Sequence, residues 1–194
     1  MNILGISGSL RQASFNTALL HAAQELAPAG MNIMIHRLHE LPLFDQDVEE
    51  QGDPPAVTAF KDAIESADGL LLACPEYNGG VTGVLKNAID WASRIGKARK
   101  VAALTGKTAC IIGASPGITG TVRAQDQLRQ ILRRAGARTE PQGDVLVFQA
   151  HTKIIDGRLA DERTRDALGR HLQGFAERLA ATAKDVHFER RNNP

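Results

Sequence analysis

Two stretches of this chain carry side chains that together could hold a flat, phosphorylated ligand. The first is Ser7-Gly8-Ser9-Leu10-Arg11-Gln12-Ala13-Ser14-Phe15-Asn16-Thr17. Ser9, Ser14 and Thr17 bring hydroxyl donors, Asn16 brings an amide, and Arg11 brings a planar guanidinium that can grip two oxygens at once. Such a donor set matches a terminal phosphomonoester, which carries nearly two negative charges. Taken alone, the same residues also describe a helix N-cap, Ser14, beside a solvated arginine.

The second stretch is Pro75-Glu76-Tyr77-Asn78-Gly79-Gly80-Val81-Thr82-Gly83-Val84-Leu85-Lys86-Asn87-Ala88-Ile89-Asp90-Trp91. A proline, a tyrosine, an amide and two adjacent glycines suit a ligand that is flat and polar at its edge. Backbone groups can reach that edge, Tyr77 lends apolar surface, and Gly79-Gly80 let the main chain come close. Read in isolation this is also a plain turn. Two other phosphate motifs are excluded. No G-x-G-x-x-G follows the first apolar run, and Gly106-Lys107-Thr108 has Val101 where a P-loop's first glycine belongs. That tripeptide also precedes a strand instead of following one, so it reads as a tight turn.

Gly8-Ser9-Leu10-Arg11 with Ser14 and Asn16, then Pro75-Glu76-Tyr77-Asn78 with the run Leu85 to Trp91, resembles the NAD(P)H-dependent FMN reductase family, in particular its quinone, chromate and azo-dye reductase branch. The likeness covers at least residues 2 to 148. It implies a flavodoxin-like fold, bound FMN and assembly as a homodimer or homotetramer. It places the FMN phosphate on Ser9, Arg11, Ser14, Asn16 and Thr17, and the isoalloxazine along Pro75, Glu76, Tyr77, Asn78 and Gly79. A third family segment resembles Ser115-Pro116-Gly117 with Gly120 and Arg123-x-Gln125, and implies backbone donors from Ser115 and Gly117 near the ring's pyrimidine end. The chain departs from many relatives at Gly79-Gly80, where a larger residue is common, and at Asp126, where several carry an aromatic.

The elements that must position these loops alternate along the chain. Strands are expected at Asn2–Ile6, Asn32–His36, Asp68–Cys74, Thr108–Gly113 and Asp144–Phe148. Between and after them, apolar residues recur at steps of three and four. Phe15, Leu19, Ala22 and Leu26 form the first stripe; Val57, Phe60, Ile64 and Ala67 the second; Leu85, Ala88, Ile89 and Ala92 the third. Leu128, Ile131, Leu132 and Ala135 form a fourth, and Leu168, Leu172, Phe175 and Leu179 stripe a closing helix. Five strands with crossover helices make a doubly wound α/β domain over residues 1–194. The resemblance implies a parallel sheet of order 2-1-3-4-5. Its switch point falls between strands one and three, whose loops are the two described above. The first loop then opens a helix, where unpaired N–H groups and the macrodipole favour an anion.

Composition narrows the function. The 194 residues carry a formal net charge of +1, with 43% hydrophobic and 23% charged residues, values of an ordinary globular protein with no pull toward nucleic acid or anionic membrane. Near-neutral charge also argues against a strongly acidic electron-shuttle flavodoxin. Cys74 and Cys110 are the only cysteines. Both sit in apolar strands and read as core residues of a reducing compartment. With no apolar run of about 20 residues and no basic leader, a cytoplasmic location is expected. No metal-ligand cluster is found.

Several residues have competing roles. Flavin hydride chemistry needs no protein acid, so no catalytic side chain is assigned and Glu76 is expected to pair with Lys86 or a backbone amide. Trp91 is read as core or subunit packing. Arg123 is open between a cofactor phosphate and a neighbouring subunit's acid. The connection Leu38–Pro55 is read as site rim or interface, His151–Gly157 as a solvated turn or short hairpin, and Arg190–Pro194 as a fraying tail. The surplus apolar faces of the helix from Gly83 to Ser93 predict a two-fold partner. The expected function is FMN-dependent transfer of hydride from NADPH or NADH, and of two electrons onward to a quinone, azo compound, chromate or free flavin. The alternative is a flavin-binding carrier or regulatory module without nicotinamide turnover.

Overall fold

The apolar runs meet in one parallel sheet. In this computed structural model, which describes residues 1–139 and 145–192, β1 (Asn2–Ser7) leads into α1 (Phe15–Glu25) and β2 (Asn32–His36). The long proline-containing connection carries α2 (Gln46–Gln51) and reaches α3 (Pro55–Ser66). Next come β3 (Gly69–Ala73), two short strands β4 (Glu76–Tyr77) and β5 (Gly80–Val81), α4 (Gly83–Ala92), β6 (Thr108–Ala114) and α5 (Val122–Arg134). β7 (Arg138–Thr139), β8 (Val145–Val147), α6 (Ala150–Lys153), β9 (Ile154–Ile155), β10 (Arg158–Leu159) and α7 (Glu162–Asn192) follow.

The main sheet runs β2-β1-β3-β6-β7, with β8 also on β6 and every pairing parallel. This is the flavodoxin-like order 2-1-3-4-5 with its last position shared. Thr108 faces Arg138 at one end of β6 and Ile112 faces Val145 toward the other. The described part of the last strand is Val145–Val147, which ends one residue before the expected Phe148; Asp144 lies outside the described residues. Central β3 is buried on both faces, as a strand covered by helices on both sides must be. Leu71 and Ala73 join Leu19, Leu172 and Phe175 under α1 and α7, while Leu70 and Leu72 join Phe60, Leu85 and Leu128 under α3, α4 and α5. Each such side chain contributes on the order of 1.5–3 kcal/mol by leaving water.

Of the two roles read for Trp91, core or subunit packing, the structure shows the first. Trp91 is fully buried within the chain itself. Its Nε1 donates to the Pro42 carbonyl at 2.8 Å, and Phe44 meets its ring edge-on at 4.9 Å. Asn87 reinforces this, donating to Pro42 O and accepting from Phe44 N, each at 2.8 Å. The Leu38–Pro55 connection thus covers Trp91, one part of the surplus apolar surface that the helix pattern assigned to a second subunit. Gly106-Lys107 is indeed a turn at the opposite end of the sheet, where Lys107 Nζ donates to the Glu65 and Ala67 carbonyls closing α3. Asp156-Gly157 turns the hairpin of β9 and β10, with exposed His151 on α6 just before it. The tail expected to fray at Arg190 continues α7 through Asn192; Asn193 and Pro194 lie outside the described residues.

Candidate functional site

Three loops leave the carboxyl ends of the adjacent strands β1, β3 and β6 and are stitched together there. Gly8 N donates to Ala73 O at 2.9 Å and Cys74 N to Ile112 O at 2.8 Å. Thr82, the N-cap of α4, donates its hydroxyl to Gly8 O at 2.7 Å. A methyl group on Gly8 would stand 2.8 Å from Pro75 Cδ and 3.1 Å from Leu85, so only glycine lets the first two loops approach this closely. Thr82 was not picked out in the sequence; its only local signal is a threonine preceding an apolar-striped helix.

The first loop ends on Ser14, which caps α1 by accepting from Thr17 N at 3.3 Å. No acidic residue occupies the first turn of α1. Among the described residues, the N–H groups of Phe15 and Asn16 have no acceptor, the usual condition of a helix start. The Ser7 and Thr17 hydroxyls pair at 2.9 Å, Ser9 Oγ accepts from Arg11 N at 3.3 Å, and the exposed Arg11 guanidinium lies 6.0 Å from the Phe15 ring centre. Asn16 requires a correction. Its Nδ2 donates to Ala114 O at 2.9 Å and its Oδ1 accepts from Ala114 N at 3.0 Å, both buried. The side chain locks α1 to the end of β6, so only its main-chain N–H faces an anion at the helix start.

The second loop is a β-hairpin. Glu76 pairs with Val81 and Tyr77 with Gly80 around Asn78 and Gly79, whose φ angles are 53° and 77°. Both turn residues at positive φ define a type I′ turn, and Asn-Gly between extended pairs is its sequence signature. Tyr77 stands exposed, and Gln127 Oε1 accepts from Val81 N at 2.7 Å. Pro75 is buried at the hairpin's base.

Glu76 does not meet Lys86, which pairs with Asp90 at 2.7 Å. Its carboxylate reaches the start of α5. One oxygen accepts from Arg123 N at 3.0 Å and Ala124 N at 3.2 Å, and the other from Arg123 Nη1 at 2.7 Å. The residue before α5, Thr121, has φ 74° and makes no side-chain cap, a strained geometry for a β-branched residue. Glu76 supplies the missing cap from another loop, and Arg123 is held by this chain's own carboxylate.

The third loop also differs from expectation. Ser115 N donates to Val147 O at 2.9 Å and Gly117 N to Ser115 Oγ at 3.1 Å, so neither N–H is free. The loop instead presents the exposed apolar side chains Ile118 and, from the neighbouring strand end, Phe148. Near the site, burial and the Glu76 charge push the Cys74 thiol up to about 12, which keeps it protonated and unreactive. The arrangement offers an anion cradle at the start of α1, exposed apolar side chains on the second and third loops, Tyr77 and Ile118, and, among the described residues of these loops, no activated nucleophile.

The family model described as NADPH-dependent FMN reductase matches residues 1–152. An NAD(P)H-dependent FMN reductase of Pseudomonas aeruginosa is 44% identical over 176 residues, covering 90% of this chain and 93% of the relative. A quinone reductase of Escherichia coli K12 is 36% identical over 181 residues, covering 91% and 94%. Among solved structures, FerB, the flavoenzyme NAD(P)H:(acceptor) oxidoreductase of Paracoccus denitrificans, superposes with a TM-score of 0.82 at 31% identity, covering 93% of this chain and 97% of that one. The chain belongs to the NADPH-dependent FMN reductase family.

Proposed function

We propose that the three loops hold one FMN, with its phosphate on the start of α1 and its ring along the Tyr77 hairpin, and that reduced nicotinamide and an oxidised acceptor use the exposed ring face in turn. The observation that carries this reading is the open first turn of α1. Among the described residues, two backbone N–H groups without an acceptor and an arginine without a carboxylate partner stand with the hydroxyls of Ser9, Ser14 and Thr17 at a helix start that has no acid in its first turn, and that donor set fits a phosphomonoester. The protein is an FMN-dependent NAD(P)H oxidoreductase. Bound FMN supplies the redox chemistry, taking a hydride from nicotinamide and passing two electrons to the acceptor.

The residues bind and orient. Ser9, Arg11, Ser14 and Thr17 hold the phosphate by their side chains and Asn16 by its main chain. Pro75, Tyr77, Asn78 and Gly79 form the shelf for the ring, and Glu76 fixes that shelf to α5. Ser115 and Gly117 close its far side with the Ser115 hydroxyl. Quinones are the acceptor class best supported, through the E. coli relative's name; azo compounds, chromate and free flavin could use the same open face. Cys74 and Cys110, both buried, support a reducing cytoplasm, and no helix among the described residues is long and apolar enough to cross a membrane.

A homodimer, or a homotetramer built from such dimers, is part of this reading, but on a different surface from Trp91. Exposed Ile95 and Val101 border a cavity of about 750 Å³ between α4 and α5, with Ile89, Ile131 and Ala135 at its base. A second copy seated there would cover apolar surface. Light scattering should give at least twice the 20.9 kDa chain mass, and Ile95→Glu should lower it; a monomer that keeps FMN and turns over would remove the dimer from the proposal.

The activity itself is tested by initial rates with NAD(P)H and a quinone varied together. One face serving two substrates in succession predicts parallel double-reciprocal lines. Intersecting lines would show both bound at once, and absence of NAD(P)H oxidation would leave the carrier alternative.

A further inference from the structure

We infer that Gln127, on the second turn of α5, is a positioning residue for the ligand ring: it holds the second strand of the Tyr77 hairpin, and with it the ring shelf, against α5. The inference deepens the reading of that hairpin as the shelf for the FMN ring and rests on it. The hairpin is too short to hold itself. Its ladder has two residue pairs, Glu76 with Val81 and Tyr77 with Gly80, and an isolated two-stranded ribbon is marginal in water. In an antiparallel ladder, pairs that exchange main-chain bonds alternate with pairs whose N–H and C=O groups point away from each other. The two-residue turn closes on the Tyr77–Gly80 pair, so the Glu76–Val81 pair turns outward. On the first strand, the Glu76 carboxylate is fixed by Arg123 N and Ala124 N. On the second, Val81 N donates to Gln127 Oε1 at 2.7 Å. A main-chain N–H needs an acceptor, which sets the amide with its oxygen toward the hairpin. Arg123 and Gln127 are four residues apart and share a face of α5, so one helix face grips both strands.

Gly80 is what lets Gln127 come this close. Its φ is not positive, so the turn itself does not demand glycine there. A methyl group would stand 2.8 Å from Gln127 Oε1 and would push the amide off Val81 N. The Val81 side chain packs on the apolar cluster that includes Ala124 and Leu128 of α5, which seats the strand on the same helix. Gln127 itself is exposed and adds little to the core. Its effect is to place the residues on either side of Asn78 and Gly79, and these belong to the ring end of the site. Arg11 and Ser14, on the loop after β1, serve the phosphate end and are untouched by it.

The test titrates the full-length apoprotein with FMN and with riboflavin, in wild type, Gln127→Ala, Gln127→Glu, Gly80→Ala and the Gly80→Ala/Gln127→Ala double variant. Gln127→Ala should weaken both ligands about fivefold, the scale of one hydrogen bond. The ratio of FMN to riboflavin affinity should stay at the wild-type value, because the phosphate end is intact. Gln127→Glu keeps an acceptor oxygen in place and should bind both ligands as wild type does. Gly80→Ala should lose as much as Gln127→Ala, and the double variant no more than either alone, since both changes remove the same contact. Riboflavin binding in Gln127→Ala that overlays wild type would overturn the inference, even with a lower urea midpoint, because Gln127 would then be structural only. So would a loss confined to FMN, or losses that add in the double variant. Failure of the FMN reading itself would show separately, as wild-type protein that binds neither ligand.

Discussion

Helices α1 and α5 begin at the same edge of the sheet, and their first turns are treated in opposite ways. At α5 the chain fills the positive end itself: Glu76 arrives from the hairpin, accepts from Arg123 N and Ala124 N, and pairs with the Arg123 side chain. At α1 only Ser14 caps, no acid enters the first turn, and the N–H groups of Phe15 and Asn16 stay open beside Arg11. A helix start attracts negative charge wherever it lies. What separates a structural staple from a ligand site is whether the fold provides that charge. The α5 end fixes the ring shelf in place, and the α1 end is left for a phosphate from outside.

Variants at the two ends should therefore separate affinity from stability. The largest effect is expected for Arg11→Ala, which should weaken FMN by about 1.5–3 kcal/mol, the scale of a charged hydrogen bond, and leave the urea midpoint of the apoprotein at the wild-type value. An FMN titration that overlays wild type would remove Arg11 from the site. Glu76→Ala should show the opposite pattern, costing about 1–3 kcal/mol of apoprotein stability because two helix N–H groups lose their acceptor. Its FMN affinity should fall only as the hairpin loosens. If urea melts show no such loss, the staple is cosmetic.

Gly79→Ala probes the shelf between the two ends. Its φ of 77° disfavours a side chain although the nearest atom, Arg123 Cδ, would be 3.7 Å from the new methyl. The expected cost is about 1–2 kcal/mol from backbone strain alone, readable in the same melts; no change would mean the hairpin is not held as described. The smallest effect, and the sharpest comparison, comes from Ser14→Asp. Aspartate still caps but gives α1 the negative charge that α5 already has, adding about 0.3–1 kcal/mol to apoprotein stability while lowering FMN affinity. Tighter FMN binding in this variant would contradict an open anion site.

Much of this contrast was legible in the sequence on the α1 side and little on the α5 side. Ser9, Arg11 and Ser14 lie within a few residues of one another, and an apolar stripe marks the helix they precede. The strand order and the switch point likewise follow from local apolar runs together with the family resemblance. Glu76 and Arg123, by contrast, are 47 residues apart, and Asn16 reaches Ala114 across 98; no periodicity encodes such pairs. That Trp91 packs as core and not at an interface was undecided for a related reason: its cover, Pro42 and Phe44, comes from the connection whose path the sequence left open. The sharing of the fifth sheet position was hidden because the described part of β7, Arg138–Thr139, is too short to show alternation. The Asn78-Gly79 turn is a local signal, but the strands it joins, Glu76–Tyr77 and Gly80–Val81, are too short to show alternation.

The account's central claim, that the unfilled start of α1 is a phosphate site, is tested most directly by titrating the wild-type apoprotein with FMN and with riboflavin. The two ligands differ only in the phosphate. FMN should bind at least tenfold more tightly, and that advantage should shrink in Arg11→Ala. Equal affinity of the two ligands for the wild type would contradict the account.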